Sequence, residues 1–415
     1  MRQAVVFGAG AIGLGLLGDV LNRSGYCTKF VDVDDRIVSA LHNQHTYSFN
    51  IVGPRTKVVK VTHVDTMGYS DKTVLENAVA EADVVFTATT ENALPSIAKA
   101  VAGGLVKRAK NREPLNIVSC ENLLDTANLL RSYVTRELVD AKLNGDSHCV
   151  VDDTGFANTV ISKMCKKSET PETSSSTPVC EGLKVFIEVE PEGDLMINRS
   201  AMKGEEMDFQ GSYLLDKARF GAECNRKTFA HNGGHALLAY LGALKGYSHI
   251  RESGLDDGIR SVFYKAISEE MRQSLTSRYP EYFSSSDFGE YVNNIFSRMI
   301  SPYLKDTVER GIRSSIKKIG GYDARLVRAA RFSVEQGVTP RYFCLTIAAA
   351  LLLNKIRSPE LDDALRNICN LEPEKDYELM ALISRAYEKL TTWQNLNFPN
   401  LKQYLDESDY AAPLT

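Results

Sequence analysis

Residues 4–13 read Ala4-Val5-Val6-Phe7-Gly8-Ala9-Gly10-Ala11-Ile12-Gly13, a short apolar run that ends in a glycine-rich turn. The run reads as a buried strand, and the stretch from Gly13 to Leu21 as a helix that stops by Ser24-Gly25. Gly8, Gly10 and Gly13 therefore fall on G-x-G-x-x-G between a strand and a helix. Each glycine has a physical reason there. The first turns tightly, the second lets backbone approach a pyrophosphate, and the third allows helix and strand to pack closely. Unpaired N–H groups at the helix N-terminus complete the anion site. Alone, the motif is also the tight turn of any α/β fold, and the residues after it say more. Lys29–Val33 reads as a second strand, and Asp32 near its end lies about 20 residues on, where a carboxylate accepts both ribose hydroxyls. Asp34 and Asp35 follow and Arg36 is the first base, so a 2′-phosphate would be repelled. The expected cofactor is NAD rather than NADP. Its expected contacts are Gly8, Ala9, Gly10, Ala11, Ile12, Gly13, Asp32 and Thr89, the last just past a strand at Ala82–Ala88.

The alternation continues. Val58–Val64 and Leu115–Ser119 are further strand candidates, and Leu75–Glu81, Ala93–Val106 and the residues from Leu123 read as helices. Strands alternating with helices of this length imply βαβ units and a parallel sheet. Lys166–Pro178 (KKSETPETSSSTP) lacks apolar residues and reads as an exposed loop. Leu183–Glu190 and Asp194–Ile197 look like the two strands of a hairpin. From about Tyr213 onward the pattern is almost wholly helical, including His235–Leu244, Gly258–Leu275, Lys305–Lys318 and Arg341–Asn354. The expected architecture is a Rossmann-type, doubly wound α/β domain at 1–200, followed by a mostly α-helical domain at 201–415.

Composition sets the outer limits. A chain of 415 residues with 43% hydrophobic and 25% charged residues excludes wholesale disorder and has room for two or three domains. The net charge of −4 argues against a nucleic-acid partner. A local group of Lys and Arg can still hold a small anion. The longest apolar stretch, Tyr342–Leu353, is far short of the ~20 residues a membrane-spanning helix needs. The N-terminus reaches glycine after four apolar residues, too few for a secretory signal. Eight cysteines lie scattered without a Cys-x-x-Cys pair, which favours reduced thiols and a cytoplasmic enzyme.

Four segments carry a resemblance: FGAGAIGLG (Phe7–Gly15), PLNIVSCENL (Pro114–Leu123), KTFAHNGGHALLAYLG (Lys227–Gly242) and SPYLKDTVERGIRSSIKKI (Ser301–Ile319). In this order they resemble the polyol-specific long-chain dehydrogenases, with the Lys-x4-Asn-x2-His spacing as the most specific part. The likeness runs from residue 1 to about residue 353, and the chain length suits the sugar-phosphate branch of the family. The resemblance implies an NAD-dependent, metal-independent oxidoreductase, monomeric, that interconverts D-mannitol 1-phosphate and D-fructose 6-phosphate. It implies that Lys227 is the general base and that Asn122 and Asn232 hold and polarise the reacting oxygen. It also implies that His235, Arg310 and Lys318 contact substrate. An unphosphorylated polyol, a hexuronate, or a non-catalytic NAD-binding sensor are the alternatives. The chain departs from the family at Ala11 and Leu14, where Asn and Arg are common. It departs again at Ile161-Ser162-Lys163, where Val-Asp-Arg is characteristic.

The residues support this chemistry in their own right. A lysine accepts a hydroxyl proton once desolvation or a neighbouring cation lowers its pKa. On an α-helix, positions 227, 232 and 235 fall within an arc of about 140°. Amide donors can stabilise a developing alkoxide as an oxyanion hole does. The same residues also fit a solvated lysine, a capping asparagine and a core histidine. His231 and His235 are four apart, but the glutamate of His-Glu-x-x-His is missing and no third ligand is evident, so no metal is expected. Arg310, Arg313, Lys317 and Lys318 recur at helical spacing, as a solvated face or as donors to a phosphate.

Overall fold

In a computed structural model of the chain, which describes residues 1–108, 113–123, 125–140, 147–313, 319–320, 325–408 and 410, the opening apolar run is a strand buried from both sides. Val5 and Phe7 lie in one core, Ala4 and Val6 in another. A strand covered on both faces must be apolar on both, hence the unbroken run. The described residues form twelve strands: β1 (Arg2–Phe7), β2 (Tyr26–Val31), β3 (Thr46–Ile51), β4 (Lys57–Thr62), β5 (Val64–Met67), β6 (Val84–Thr87), β7 (Asn116–Ser119), β8 (Gly155–Ile161), β9 (Cys165–Ser168), β10 (Phe186–Val189), β11 (Leu195–Asn198) and β12 (Ser212–Leu215). Eight of them make one sheet in the order β12-β11-β8-β7-β6-β1-β2-β5. From β5 across to β8 all pairings are parallel, and β11 joins antiparallel to β8.

Helices Lys72–Glu81, Leu94–Lys107 and Thr126–Asp140 cover one face, packing Leu75, Ile97, Val101 and Leu130 on Val5, Val85 and Ile117. The other face carries the helical turns of Gly13–Leu17 and Gly18–Arg23 together with a second sheet, ordered β4-β3-β10-β9. Tyr47, Phe49, Ile187 and Val189 of that sheet share a core with Val6, Phe30 and Phe86. The helix and the small sheet lie in direct contact: a Cβ added at Gly15 would sit 2.7 Å from Val189 Cγ1.

Three expectations change here. Val58–Val64 is two strands in different sheets, β4 and β5, broken at His63 in the left-handed region (φ 59°). Leu183–Glu190 and Asp194–Ile197 are not a hairpin, because β10 pairs with β3 and β9 while β11 pairs with β8 and β12. Lys166–Pro178 is only partly an exposed loop. Lys166–Ser168 belong to β9, and buried polar groups pin the rest. Glu188 accepts from Glu172 N (2.8 Å) and Ser176 Oγ (2.6 Å), and Asn50 accepts from Thr177 N (2.8 Å). A polar segment can seat itself in this way because buried Glu188 and Asn50 require partners.

The chain divides into two units, Met1–Phe220 and Gly221–Thr415. The first runs past residue 200 because β12 is the edge strand of the large sheet. The extended regular elements among the described residues of the second are all helices, with one isolated bridge between His249 and Thr307. Its core gathers around helices Gly233–Leu244 and Arg341–Leu353, with Glu270 accepting from Tyr342 N (2.9 Å) and Phe343 N (3.3 Å) at the start of the latter. Of the expected helix Lys305–Lys318, Val308–Ile312 is helical, and residues 314–318 lie outside the described residues. Among the described residues no helix is long and apolar enough to cross a membrane.

Candidate active site

In the first unit the residues singled out above sit just past the carboxyl ends of β1, β2, β6 and β7, where parallel α/β sheets bind ligands. Gly8 follows β1 with φ +107°, and its N–H donates to Val31 O (2.8 Å). A Cβ at Gly8 would meet Ala88 O at 2.4 Å, and one at Gly13 would meet Gly8 O at 1.9 Å, so turn and helix touch as the motif requires. Gly10 is different: a Cβ there would point into open space, the side from which a pyrophosphate approaches. Asp32 follows β2, and its carboxylate ties the turn down, accepting from Ala9 N (2.6 Å) and Asp34 N (2.9 Å). Arg36 pairs with Asp34 (3.0 Å) and with Glu169 beyond β9 (3.0 Å). Ala11 and Ile12 continue the turn, with Ile12 against the core. An open glycine face beside an anchored carboxylate fits a dinucleotide.

Thr89 follows β6 and donates from its N–H to Glu121 Oε1 (3.0 Å), while Thr87 Oγ1 donates to Oε2 (2.9 Å). Glu121 is buried, and burial pushes its carboxyl up against the opposing pull of the Thr89 and Thr87 hydrogen bonds. Asn122, next in the chain, is exposed at the same sheet edge.

In the second unit, Lys227 and Asn232 both lie in a π-helical turn, Arg226–Asn232, closed by a bond from Gly233 N–H to Thr228 O five residues back. Such turns often mark functional sites. In an α-helix residues five apart diverge by about 140°. In the i→i+5 turn they come nearly into line, so Lys227 stands close to the axial row of Asn232, with His235 one α-turn further. Helix Gly233–Leu244 is buried at every position but His235 and Ala243. Its histidine therefore breaks an otherwise sealed face. Burial and the positive charges of Arg298, Lys227 and Arg325 hold the His231 imidazole well below its usual range, and its buried Nδ1 has no hydrogen-bond partner among the described residues.

Arg310 has a partner within its own unit. Its guanidinium is clamped on Asp306, with Nε 2.6 Å from Oδ1 and Nη2 on Oδ2, and Asp306 Oδ2 is also 2.7 Å from His235 Nε2. Burial alone would raise the Asp306 carboxyl, but the His235 and Arg310 hydrogen bonds outweigh it and hold it well below the usual carboxylate range. Lys318 lies outside the described residues. Among the described residues no cluster of three or more His, Cys, Asp or Glu forms a metal site. Of the family's Val-Asp-Arg triplet, Ser162 here accepts from Asp194 N (2.8 Å) and Lys163 donates to Pro191 O (3.1 Å), so both serve the turn into β11.

Sequence reading missed Glu121 and Asp306. A carboxylate directly after a buried strand, Asn116–Ser119, and an Asp four residues before Arg310, were the available signals.

Known proteins share both units. The mannitol dehydrogenase Rossmann domain matches residues 2–211, and the mannitol dehydrogenase C-terminal domain matches residues 224–371. The mannitol-1-phosphate 5-dehydrogenase of Lactococcus lactis subsp. lactis (strain IL1403) is 32% identical over 80% of this chain and 82% of its own length. That of Oceanobacillus iheyensis is 33% identical over 89% of this chain and 91% of its own. Among solved structures, Pseudomonas fluorescens mannitol 2-dehydrogenase, in ternary complex with NAD and D-mannitol, has a TM-score of 0.71 at 15% identity, over 98% of this chain and 94% of that one. A substrate-free D-sorbitol dehydrogenase has a TM-score of 0.73 at 13% identity, over 94% of this chain and 93% of that one. At these identities the structures share the fold.

Proposed function

Because this chain belongs to the mannitol dehydrogenase family, we propose that it is an NAD-dependent oxidoreductase interconverting D-mannitol 1-phosphate and D-fructose 6-phosphate. Curated relatives of that name, at 32% and 33% identity over most of their length, support the substrate. The observation that supports the chemistry is the π-turn Arg226–Asn232, whose wider winding brings the Lys227 and Asn232 positions nearer to one row than an α-helix would, ahead of His235.

The backbone of Gly8–Gly13 would hold the pyrophosphate of NAD, and Asp32 the adenine ribose. When bound, NAD supplies the acceptor for the hydrogen that leaves carbon. Lys227 Nζ takes the hydroxyl proton during oxidation and returns it during reduction, as a general base and acid. Asn232 donates an amide N–H bond to the oxygen whose charge develops, His235 holds a substrate hydroxyl, and Asn122 is a further amide donor in the first unit. The protein works without a resident metal and as a monomer in the cytoplasm.

One observation favours a second reading, an unphosphorylated polyol or a hexuronate as substrate. Arg310 gives two of its donor nitrogens to Asp306 and so has fewer left for a phosphate. Steady-state reduction with NADH separates the cases. Fructose 6-phosphate should give the highest kcat/KM among fructose 6-phosphate, fructose, tagaturonate and fructuronate. A preference for another member overturns the phosphate assignment. NADH binding with no reduction of any of them identifies a sensor.

A further inference from the structure

The contact between Asp306, His235 and Arg310 does more than settle where Arg310 points. Asp306 is 8% exposed, on a segment fixed by backbone bonds on both sides, Ile250 N to Asp306 O (3.0 Å) and Val308 N to Ser248 O (2.9 Å). Thr307 Oγ1 caps the short helix that follows, accepting from Arg310 N (3.2 Å). Gly311 on that helix packs against Ala239 and against the His235 ring, within 3.3 Å of Cε1 for a Cβ built there. The carboxylate is therefore held still beneath the one histidine that opens the buried helix Gly233–Leu244.

An ionised carboxylate accepts and cannot donate. Its Oδ2 lies 2.7 Å from His235 Nε2, so that nitrogen carries a proton. The Arg310 fork occupies the remaining near side of the carboxylate and stops it from rotating away. We propose that Asp306 is a positioning residue that fixes His235 as the Nε2–H tautomer and so presents Nδ1 as a hydrogen-bond acceptor for a substrate hydroxyl. The inference rests on the reading of His235 as a substrate contact. It gives Arg310 a second task, bracing Asp306, beside any contact of its own with substrate. The same division of labour, a buried carboxylate orienting an imidazole that does the work, recurs wherever the tautomer of a histidine matters.

The test is made on the full-length protein by two routes. First, 15N NMR of the imidazole reports its protonation directly in the wild type: an N–H-type Nε2 and a bare Nδ1 are expected, and a protonated Nδ1, in the other tautomer or in the imidazolium, overturns the proposal. This measurement needs no catalysis and no variant. Second, Asp306→Asn should lower kcat/KM for ketose reduction by about 10–100-fold with an unchanged NADH Kd. Combined with His235→Asn it should add nothing to the loss that His235→Asn causes alone, since Asp306 acts through that ring. Additive losses in the double variant also overturn the proposal. If the wild type reduces no ketose at all, the functional reading fails, and the NMR result still decides the tautomer.

Discussion

Replacing Asp32 by Ala tests the cofactor site where its geometry is most explicit. An ionised carboxylate offers about four acceptor positions. Two are taken, by Ala9 N at 2.6 Å and Asp34 N at 2.9 Å, which leaves two for the neighbouring hydroxyls of a ribose. A hydrogen bond to a charged group contributes about 1.5–3 kcal/mol, so losing the ribose pair costs about 3–6 kcal/mol. At about 1.4 kcal/mol per tenfold, NADH should bind about 10²–10⁴-fold more weakly. The backbone bonds to Ala9 and Asp34 exist with and without cofactor, so their loss lowers the unfolding temperature rather than the affinity. NADPH provides the internal control. Its 2′-phosphate meets the Asp32 charge in the wild type, and Arg36 is already engaged by Asp34 and Glu169. Removing Asp32 should therefore leave NADPH binding unchanged or tighter. Fluorescence or calorimetric titration of both nucleotides gives the two affinities, with thermal unfolding in parallel. An NADH Kd within about threefold of the wild type would refute the ribose assignment. Parallel weakening of NADH and NADPH would refute it too, since it would mean that the glycine turn had simply come loose.

Other expectations follow from the same coordinates. Lys227→Ala should lower kcat by about 10²–10⁴-fold and leave the NADH Kd unaltered, and a variant that turns over normally removes Lys227 as the base. Glu121→Ala strips Thr87 Oγ1 and Thr89 N of a buried acceptor, so chemical unfolding should show a loss of about 1–3 kcal/mol for each group, and an unshifted midpoint would contradict this. Burial raises the Glu270 carboxyl to about 8 despite the opposing Tyr342 and Phe343 N–H groups, against 4.5 in the unfolded chain. Unfolding between those values releases a proton, so this contribution is complete below 4.5 and is lost as pH rises through about 8. Urea unfolding across that range should show stability falling by at most about 1.4 kcal/mol per pH unit, with the fall abolished in Glu270→Gln.

How much of the fold shows in the sequence depends on whether local pattern or distant partners set each element. The Ala4–Phe7 run, the glycine turn and Ala82–Ala88 are legible because a parallel strand covered on both faces must be apolar, and the turn must lack Cβ atoms. The small sheet is not legible. Its strands β3, β9 and β10 come from residues 46–51, 165–168 and 186–189, brought together only by burial against the first helix. Nothing local distinguishes β10 from a hairpin partner of β11, since both are short apolar runs a few residues apart. Gly15 was the available hint. A helix facing solvent or a thick layer of side chains has no need of a glycine there, and one in which a Cβ would come within 2.7 Å of Val189 Cγ1 does.

The candidate site follows the same logic with a sharper consequence. Lys227, Asn232 and His235 are readable as a set because their types suit alcohol oxidation and an α-helix already places them within an arc of about 140°. The π-turn draws the Lys227 and Asn232 positions closer still by absorbing one extra residue, and it is tertiary packing that holds it. Thr228, Phe229 and Ala230 are buried within it, and the Phe229 ring lies tilted against Phe332 with centroids 5.1 Å apart. No propensity scale predicts a single i→i+5 turn, because its cost is met by contacts distant in sequence. Arg310 is a different case. Along the chain it reads as part of a solvated face or as a donor to a phosphate, and only the fold shows that Asp306, one turn earlier, holds its fork and also lies 2.7 Å from His235 Nε2. The residue types of the candidate site were thus visible along the chain, while the backbone turn under Lys227 and the carboxylate beside His235 belong to the packing of the helical unit.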